Sequence, residues 1–249
     1  MASEYHRRAC AHNESHHSLT EVNGNHHVLA SPRALVFDWD NTLVDAWAGI
    51  VVALNAVFAQ FGRPPWTVQE GRERIRGSMR ESFPPLFGDD WPAAVAAFGP
   101  AMHRVHLDHL AELAGTAAML NIAQAWPLAV VSNKAGPFLR REVQHLGWDS
   151  RFGAVIGAGD CAADKPHPAP IWHALRMIGV QPGPAVWYIG DTALDMQAAH
   201  AAGCTAVLLG DAAHDGGLAL MQGSECPPGL HFADACALAR YLEDNLPAG

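Results

Sequence analysis

Along the chain the pattern of hydrophobic and polar positions changes abruptly at Arg33. Residues 1–32 show almost no apolar periodicity and carry His6, His12, His16, His17, His26 and His27 among Ser, Asn, Glu and Gly. Such a stretch cannot bury enough surface to offset its ordering entropy, and the expectation is a disordered, His-rich tail. The irregular spacing of these histidines, without accompanying cysteines or carboxylates, disfavours a transition-metal site there. Beyond Arg33, Ala34–Phe37 is a short continuous apolar run, the pattern of a parallel strand buried on both faces. Four similar runs follow at Leu128–Val131, Ala154–Ile156, Val186–Ile189 and Thr205–Leu209.

Helical patterns separate these runs. One opens at Pro137, carries Leu139, Val143 and Leu146, and stops at Gly147; another carries Ile171, Leu175 and Ile178 and stops at Gly179; a third follows Asp195 and stops at Gly203. Proline near the start and glycine just past the end mark helix boundaries. Strands alternating with helices imply right-handed crossovers and a parallel sheet covered on both faces, an α/β fold. The alternation breaks between Asp45 and about Thr116. There Ile50, Leu54, Val57, Phe58 and Phe61 fall on one helical face that stops at Gly62, and a further helical stretch from Pro92 toward Leu113 is broken by Gly99-Pro100. So much structure exceeds a loop between neighbouring strands and predicts an inserted helical domain. The expected division is a tail at 1–32, a core at 33–45 and 117–249, and the helical insertion at 46–116.

Composition narrows the class. The formal charge of -9 is spread along the 249 residues, which argues against a nucleic-acid surface. The five cysteines are scattered and form no Cys-x-x-Cys pair, so neither a disulfide framework nor a zinc knuckle is indicated. No stretch is apolar and long enough to span a bilayer, and the first residues lack an apolar signal region. A cytoplasmic setting is the expectation.

The chemistry lies at the carboxyl ends of the expected strands, where open parallel sheets bind ligands. The first run delivers Asp38-Trp39-Asp40-Asn41-Thr42, the second Ser132-Asn133-Lys134, the third is followed by Asp164-Lys165-Pro166, and the fourth delivers Gly190-Asp191-Thr192-Ala193-Leu194-Asp195. Each alone reads as ordinary turn or capping chemistry. Their joint appearance at successive strand ends points to one crevice lined by carboxylates, a hydroxyl and an ammonium.

These four segments resemble the motifs of the haloacid dehalogenase-like superfamily, in its phosphatase branch with a helical cap after the first motif, and within it phosphoglycolate phosphatase-like proteins. The resemblance covers about Arg33 to Leu209. It implies a Rossmann-like sheet with a mobile cap and a Mg²⁺-dependent hydrolysis of phosphate monoesters through an aspartyl-phosphate. Carried onto this chain, it implies Asp38 as nucleophile and Asp40 as general acid and base. Ser132 and Lys165 would act on the phosphoryl oxygens. Metal ligation would fall to Asp38, Asp191 and the backbone carbonyl of Asp40, with Asp195, Thr42 and Asn133 in support. The roles are chemically sound. A carboxylate can attack phosphorus in line once negative charge is cancelled, and Mg²⁺ takes few carboxylates together with substrate phosphate oxygens. In such proteins the cap excludes water and contacts substrate. Arg72, Arg74, Arg76 and Arg80 are candidates for an anionic leaving group, with Arg76 and Arg80 foremost.

The expected partner is a small phosphorylated metabolite, with neither nucleic acid nor membrane, and a monomer or homodimer as the working form. Two alternatives stay open: a sugar-phosphate mutase using the same Asp38 and Asp40, and a regulatory member that keeps the fold without turnover. A nicotinamide-binding enzyme is disfavoured, since no Gly-x-Gly-x-x-Gly follows the first strand.

Overall fold

The computed structural model describes residues 31–75 and 79–247. The expectation of a disordered tail therefore falls, but for Ser31 and Pro32, outside the described residues. The chain divides into two compact units, one formed by residues 1–44 and 112–249 and the other by Asp45–Ala111.

The larger unit is built on six parallel strands: β1 (Ala34–Phe37), β4 (Leu128–Ala135), β5 (Ala154–Ala158), β6 (Val186–Gly190), β7 (Thr205–Leu209) and β8 (Leu230–Phe232). Their order across the sheet is β5-β4-β1-β6-β7-β8. All four residues of β1 are fully buried, as a central strand covered on both faces requires. Alternation along the strand sends Ala34 and Val36 to one face. There they join Ala129, Val131, Val186 and Tyr188 in a core with Ile171, Ala174 and Leu175 of one helix and Met196, Ala198 and Ala199 of another. On the opposite side Tyr241 packs its ring against Trp187 and Phe232, with centroids 5.7 and 5.4 Å apart. The five strands expected from apolar runs are present. The sixth, β8, is three residues long and has too little sequence to declare itself.

In chain order the helices are α1 (Trp47–Gln60), α2 (Val68–Arg74), α3 (Met79–Phe87), α4 (Trp91–Val105), α5 (Thr116–Ala123), α6 (Gly136–His145), α7 (Ala169–Met177), α8 (Ala193–Ala202), α9 (Leu218–Gln222) and α10 (Ala235–Asp244). The first four make up the smaller unit, entered through β2 (Val44–Asp45) and left through β3 (Ala111–Glu112). Its core gathers Ala53, Leu54, Val57 and Phe58 of α1 with Phe83, Phe87, Ala94 and Ala101. Asn55 closes the turn after α1, donating to the Trp66 carbonyl at 2.7 Å and accepting from the Trp66 amide at 2.8 Å.

One expectation fails in this unit. Gly99-Pro100 does not break the helical stretch: α4 runs through both residues and ends at Val105. An internal proline costs about 3 kcal/mol through a lost hydrogen bond and a clash with the preceding turn. Here Ala94 and Ala101, one on each side of the proline, are buried in the aromatic core, and that packing outweighs the local preference. For the same reason α3 tolerates Pro84 and Pro85 between the buried Phe83 and Phe87. Among the described residues, no helix is long and apolar enough to cross a membrane.

Candidate active site

The strand order reverses beside β1, with β4 and β5 extending one way and β6, β7 and β8 the other. Such a reversal opens a crevice at the carboxyl ends of the strands. The loop after β1 opens with Asp38, whose amide donates to the Ile189 carbonyl at 2.8 Å. The turn continues through Asn41 at φ 61, a left-handed position that asparagine tolerates.

Strand β4 contributes through an irregularity. It steps from Val131 to Ala135 while its partner β5 steps only from Ile156 to Ala158. Ser132 to Lys134 stand opposite the single residue Gly157 and cannot follow the regular ladder, which is how bulges re-aim side chains at functional sites. Strand β6 ends at Gly190, and its missing side chain matters: a Cβ there would lie 2.6 Å from Asp195 Oδ2. Glycine thus lets Asp195, on the first turn of α8, pack against the strand end.

The carboxylates of Asp38, Asp191 and Asp195 converge, each offering an oxygen within 4.8 Å of the others. Lys165 Nζ sits between two of them, 2.6 Å from Asp38 Oδ1 and 2.7 Å from Asp195 Oδ1. The Lys165 side chain is 3% exposed, so this ammonium is removed from bulk water. Asp195 Oδ2 accepts from the Thr192 hydroxyl at 2.6 Å and amide at 3.1 Å, while the Tyr188 hydroxyl, 2.9 Å from the Val131 carbonyl, lies 3.3 Å from Oδ1. Thr42 Oγ1 donates to Asp191 Oδ1 at 3.1 Å. Asn133 pairs with the backbone of Lys165, donating to its carbonyl at 3.0 Å and accepting from its amide at 2.9 Å. Ser132 is buried, and its hydroxyl accepts from the Lys134 amide at 3.3 Å.

The electrostatics follow from crowding three acids around one ammonium. Burial pushes the Asp38 carboxyl up to about 6; Lys165 opposes the rise, and Asp195 and Asp40 add to it. Asp191 is held well above the usual carboxylate range by desolvation first and then by Asp195 and Asp38. For Lys165 burial works against the charge, but Asp195 and Asp38 outweigh it and keep the ammonium firmly protonated. The cluster is therefore short of positive charge.

Of the expected site residues, Asp38, Lys165, Asp191 and Asp195 come together, with Thr42 bonded to Asp191 and Asn133 to the Lys165 backbone. The Asp40 carboxylate is bound by Lys134 Nζ at 2.7 Å. Lys134 also reaches Glu142 Oε2 at 2.5 Å, and Trp39 Nε1 donates to the same oxygen at 2.7 Å. Sequence reasoning gave Lys134, Glu142, Trp39 and Tyr188 no role. Glu142 did leave a signal, since it interrupts the apolar stripe formed by Leu139 and Val143 of α6 and Leu146 just past its end.

The candidate arginines divide. Arg72 pairs with Asp45 at 2.8 Å and lies over Trp47, and Arg74 pairs with Glu70 at 2.9 Å and lies over Trp66. Both are thus engaged within the smaller unit. Arg76 and the side chain of Arg80 lie outside the described residues.

Another charge-bearing contact completes the β6 end: Asp215 Oδ2 accepts from the Ala193 amide at 2.7 Å, at the start of α8.

Comparison with known proteins agrees with this geometry. Residues 35–209 match the haloacid dehalogenase-like hydrolase family. The chain is 35% identical over 201 residues to a phosphoglycolate phosphatase of Xylella fastidiosa, covering 74% of this chain and 81% of that protein. It is 27% identical over 225 residues to a phosphoglycolate phosphatase of Yersinia pestis, covering 81% and 90%. Among solved structures it is similar to a HAD-superfamily hydrolase from Ehrlichia chaffeensis, with a TM-score of 0.59, 25% identity and coverage of 87% and 98%. A HAD-superfamily hydrolase from Geobacter sulfurreducens has the same fold at a TM-score of 0.66 and 20% identity, covering 85% and 96%. Strand-end chemistry, sheet order and sequence similarity agree: the chain belongs to the haloacid dehalogenase-like hydrolase family.

Proposed function

We propose that this chain hydrolyses a small phosphate monoester, phosphoglycolate or a similarly small carboxylated ester, in two steps through an aspartyl-phosphate on Asp38. Its family and its relatives make the chain a phosphatase. The observation that carries the finer reading is the acidic trio of Asp38, Asp191 and Asp195 around a single buried ammonium.

That trio fits Mg²⁺. The donors are hard carboxylate oxygens, with none of the nitrogen or sulfur that softer metals prefer. Three carboxylates against one lysine leave negative charge uncompensated; burial first, and the neighbouring acids after it, raise Asp38 and Asp191. Asp38, Asp191 and the backbone carbonyl of Asp40 would hold the ion, since the oxygens of Asp195 already accept from Lys165 and Thr192. Bound there, Mg²⁺ would supply charge neutralisation at a phosphoryl oxygen.

The protein's own groups divide the remaining work. Asp38 attacks phosphorus in line; its new O–P bond forms as the ester P–O bond breaks, and Asp40 gives a proton to the departing alkoxide. In the second step Asp40 takes a proton from water as the water oxygen attacks phosphorus, which frees the Asp38 carboxylate and releases phosphate. Ser132 donates to a phosphoryl oxygen, and Lys165 offsets charge on the nucleophile and the transferring group. Thr42 and Asn133 act at one remove, by holding the Asp191 carboxylate and the Lys165 backbone.

The test is phosphate release over a panel of small phosphate esters with Mg²⁺: phosphoglycolate, sugar phosphates and nucleotides. Turnover of phosphoglycolate without an added sugar bisphosphate is expected. Release from none of the panel, or only when a sugar bisphosphate is added, would overturn this reading.

A further inference from the structure

A second charged cluster contains Asp40, and the two steps above use none of its other members. The Lys134 ammonium bridges Asp40 and Glu142, with its side chain 12% exposed and that of Glu142 1% exposed. Glu142 also receives the Trp39 indole N–H. Trp39 and Asp40 are neighbours in the loop after β1, so one buried glutamate on α6 holds that loop twice: directly through the indole, and through Lys134 to the Asp40 carboxylate. The Trp39 ring is further braced edge-on by Trp148, at 5.8 Å between centroids.

A group that exchanges a proton must present its oxygen at hydrogen-bond distance in the right direction. The terminal torsion of an aspartate is soft, with broad wells, so an unattended carboxylate samples many directions. A lysine alone would be a poor restraint because its own chain is long and mobile. A lysine whose ammonium is pinned by a buried glutamate does not have that freedom. The burial of Glu142 has the complementary requirement, since a carboxylate withdrawn from water needs a partner cation.

We propose that Lys134 is a positioning residue for the reaction: held by Glu142, it fixes Asp40 Oδ1 and leaves Oδ2 as the oxygen that exchanges the proton. This rests on the assignment of Asp40 as the general acid and base. Two other roles are distinguishable by experiment. A lysine that contacted substrate directly would act on KM, and one that merely filled charge around Glu142 would act on stability, independently of Asp40.

The test is a double-mutant cycle of Lys134→Met and Asp40→Asn, read as kcat with p-nitrophenyl phosphate, whose good leaving group keeps residual turnover measurable. General acid–base catalysis contributes about 10²–10⁴-fold, and misdirecting the group is expected to forfeit about 10–100-fold of that in kcat with KM little changed. In the Asp40→Asn background the same Lys134→Met change is expected to cost less than about two-fold, because residues acting through one another are not additive. Lys134→Arg, which keeps the charge, should recover part of the loss. Glu142→Gln provides a second route through the same cycle should Lys134→Met fail to fold. An undiminished effect in the Asp40→Asn background, or a loss confined to KM, would overturn the positioning role while leaving the phosphatase reading intact. A chain whose kcat is indifferent to Asp40→Asn would instead overturn the acid–base assignment, and this proposal with it.

Discussion

Lys165 Nζ stands 2.6 Å from Asp38 Oδ1, and the same ammonium is 2.7 Å from Asp195. One buried cation thus touches the candidate nucleophile and the capping residue of α8. The loops after β1 and β6 and the Lys165 segment meet at a single nitrogen, which ties the chemistry to the fold's stability.

Replacing Asp38 with Asn separates the two. The amide is a poor nucleophile, so kcat for any phosphate ester is expected to fall by on the order of a thousand-fold or more. The fold should survive, because the change removes a carboxylate whose ionised form is disfavoured by burial and by neighbouring acids. Steady-state phosphate release alongside circular dichroism checks both halves. Retained turnover would contradict the covalent role.

Lys165→Met should behave differently. Removing one partner from a buried charge pair costs about 3–5 kcal/mol, because the other charge is left uncompensated. Asp195 is 1% exposed and depends on this lysine. Urea unfolding should therefore show a loss of that size together with loss of activity, and a change below about 1 kcal/mol would mean that the pair is easily rearranged.

Metal dependence should carry a pH signature. Without metal, the Asp38 carboxyl is raised from 3.8 to about 6, so between these values the folded protein holds a proton that the unfolded chain has released. Stability from this group is accordingly present at low pH and declines as pH rises through about 6. A cation binding the trio must displace that proton, and its affinity grows in the same window. Mg²⁺ at a fixed concentration should then raise the Tm more near pH 8 than near pH 5. EDTA should abolish phosphate release, and Mg²⁺ should restore it. A Tm shift equal at both pH values, or activity indifferent to chelation, would remove the ion from the trio.

A guanidinium suits an anionic leaving group, and Arg76 and Arg80 are the sequence's candidates for it. Replacing Arg76 or Arg80 by Met should raise KM for a carboxylated phosphoester about ten-fold, the scale of one charge-assisted hydrogen bond. A neutral aryl phosphate should be little affected. Equal effects on both substrates would exclude these arginines from substrate selection.

The core was readable in advance where a single physical signal dominates. Ala34–Phe37 and Val186–Ile189 read as apolar runs because they are buried on both faces; Asp38 follows the first directly and Asp191 the second after Gly190. Local signals failed where packing overrides them: Pro84, Pro85 and Pro100 sit inside helices that aromatic burial sustains. The Asp40–Lys134–Glu142 bridge was opaque for another reason. It joins residues up to 103 positions apart, counting the Trp39–Glu142 bond, and depends on a bulge in β4 that no periodicity announces. Asn133 looked like a turn residue, yet its amide makes two bonds to the backbone of a lysine 32 positions away.

The start of α8 has a consequence for how this protein holds an anion. Backbone N–H groups at a helix N-terminus often bind phosphate. Here the Thr192 amide is taken by Asp195 and the Ala193 amide by Asp215, so internal carboxylates already occupy that end of the helix. A phosphoryl group arriving at the crevice finds these dipoles spent. Beyond the Ser132 hydroxyl its affinity rests on discrete cations, so oxyanion inhibitors such as sulfate should compete more strongly when the divalent ion is present.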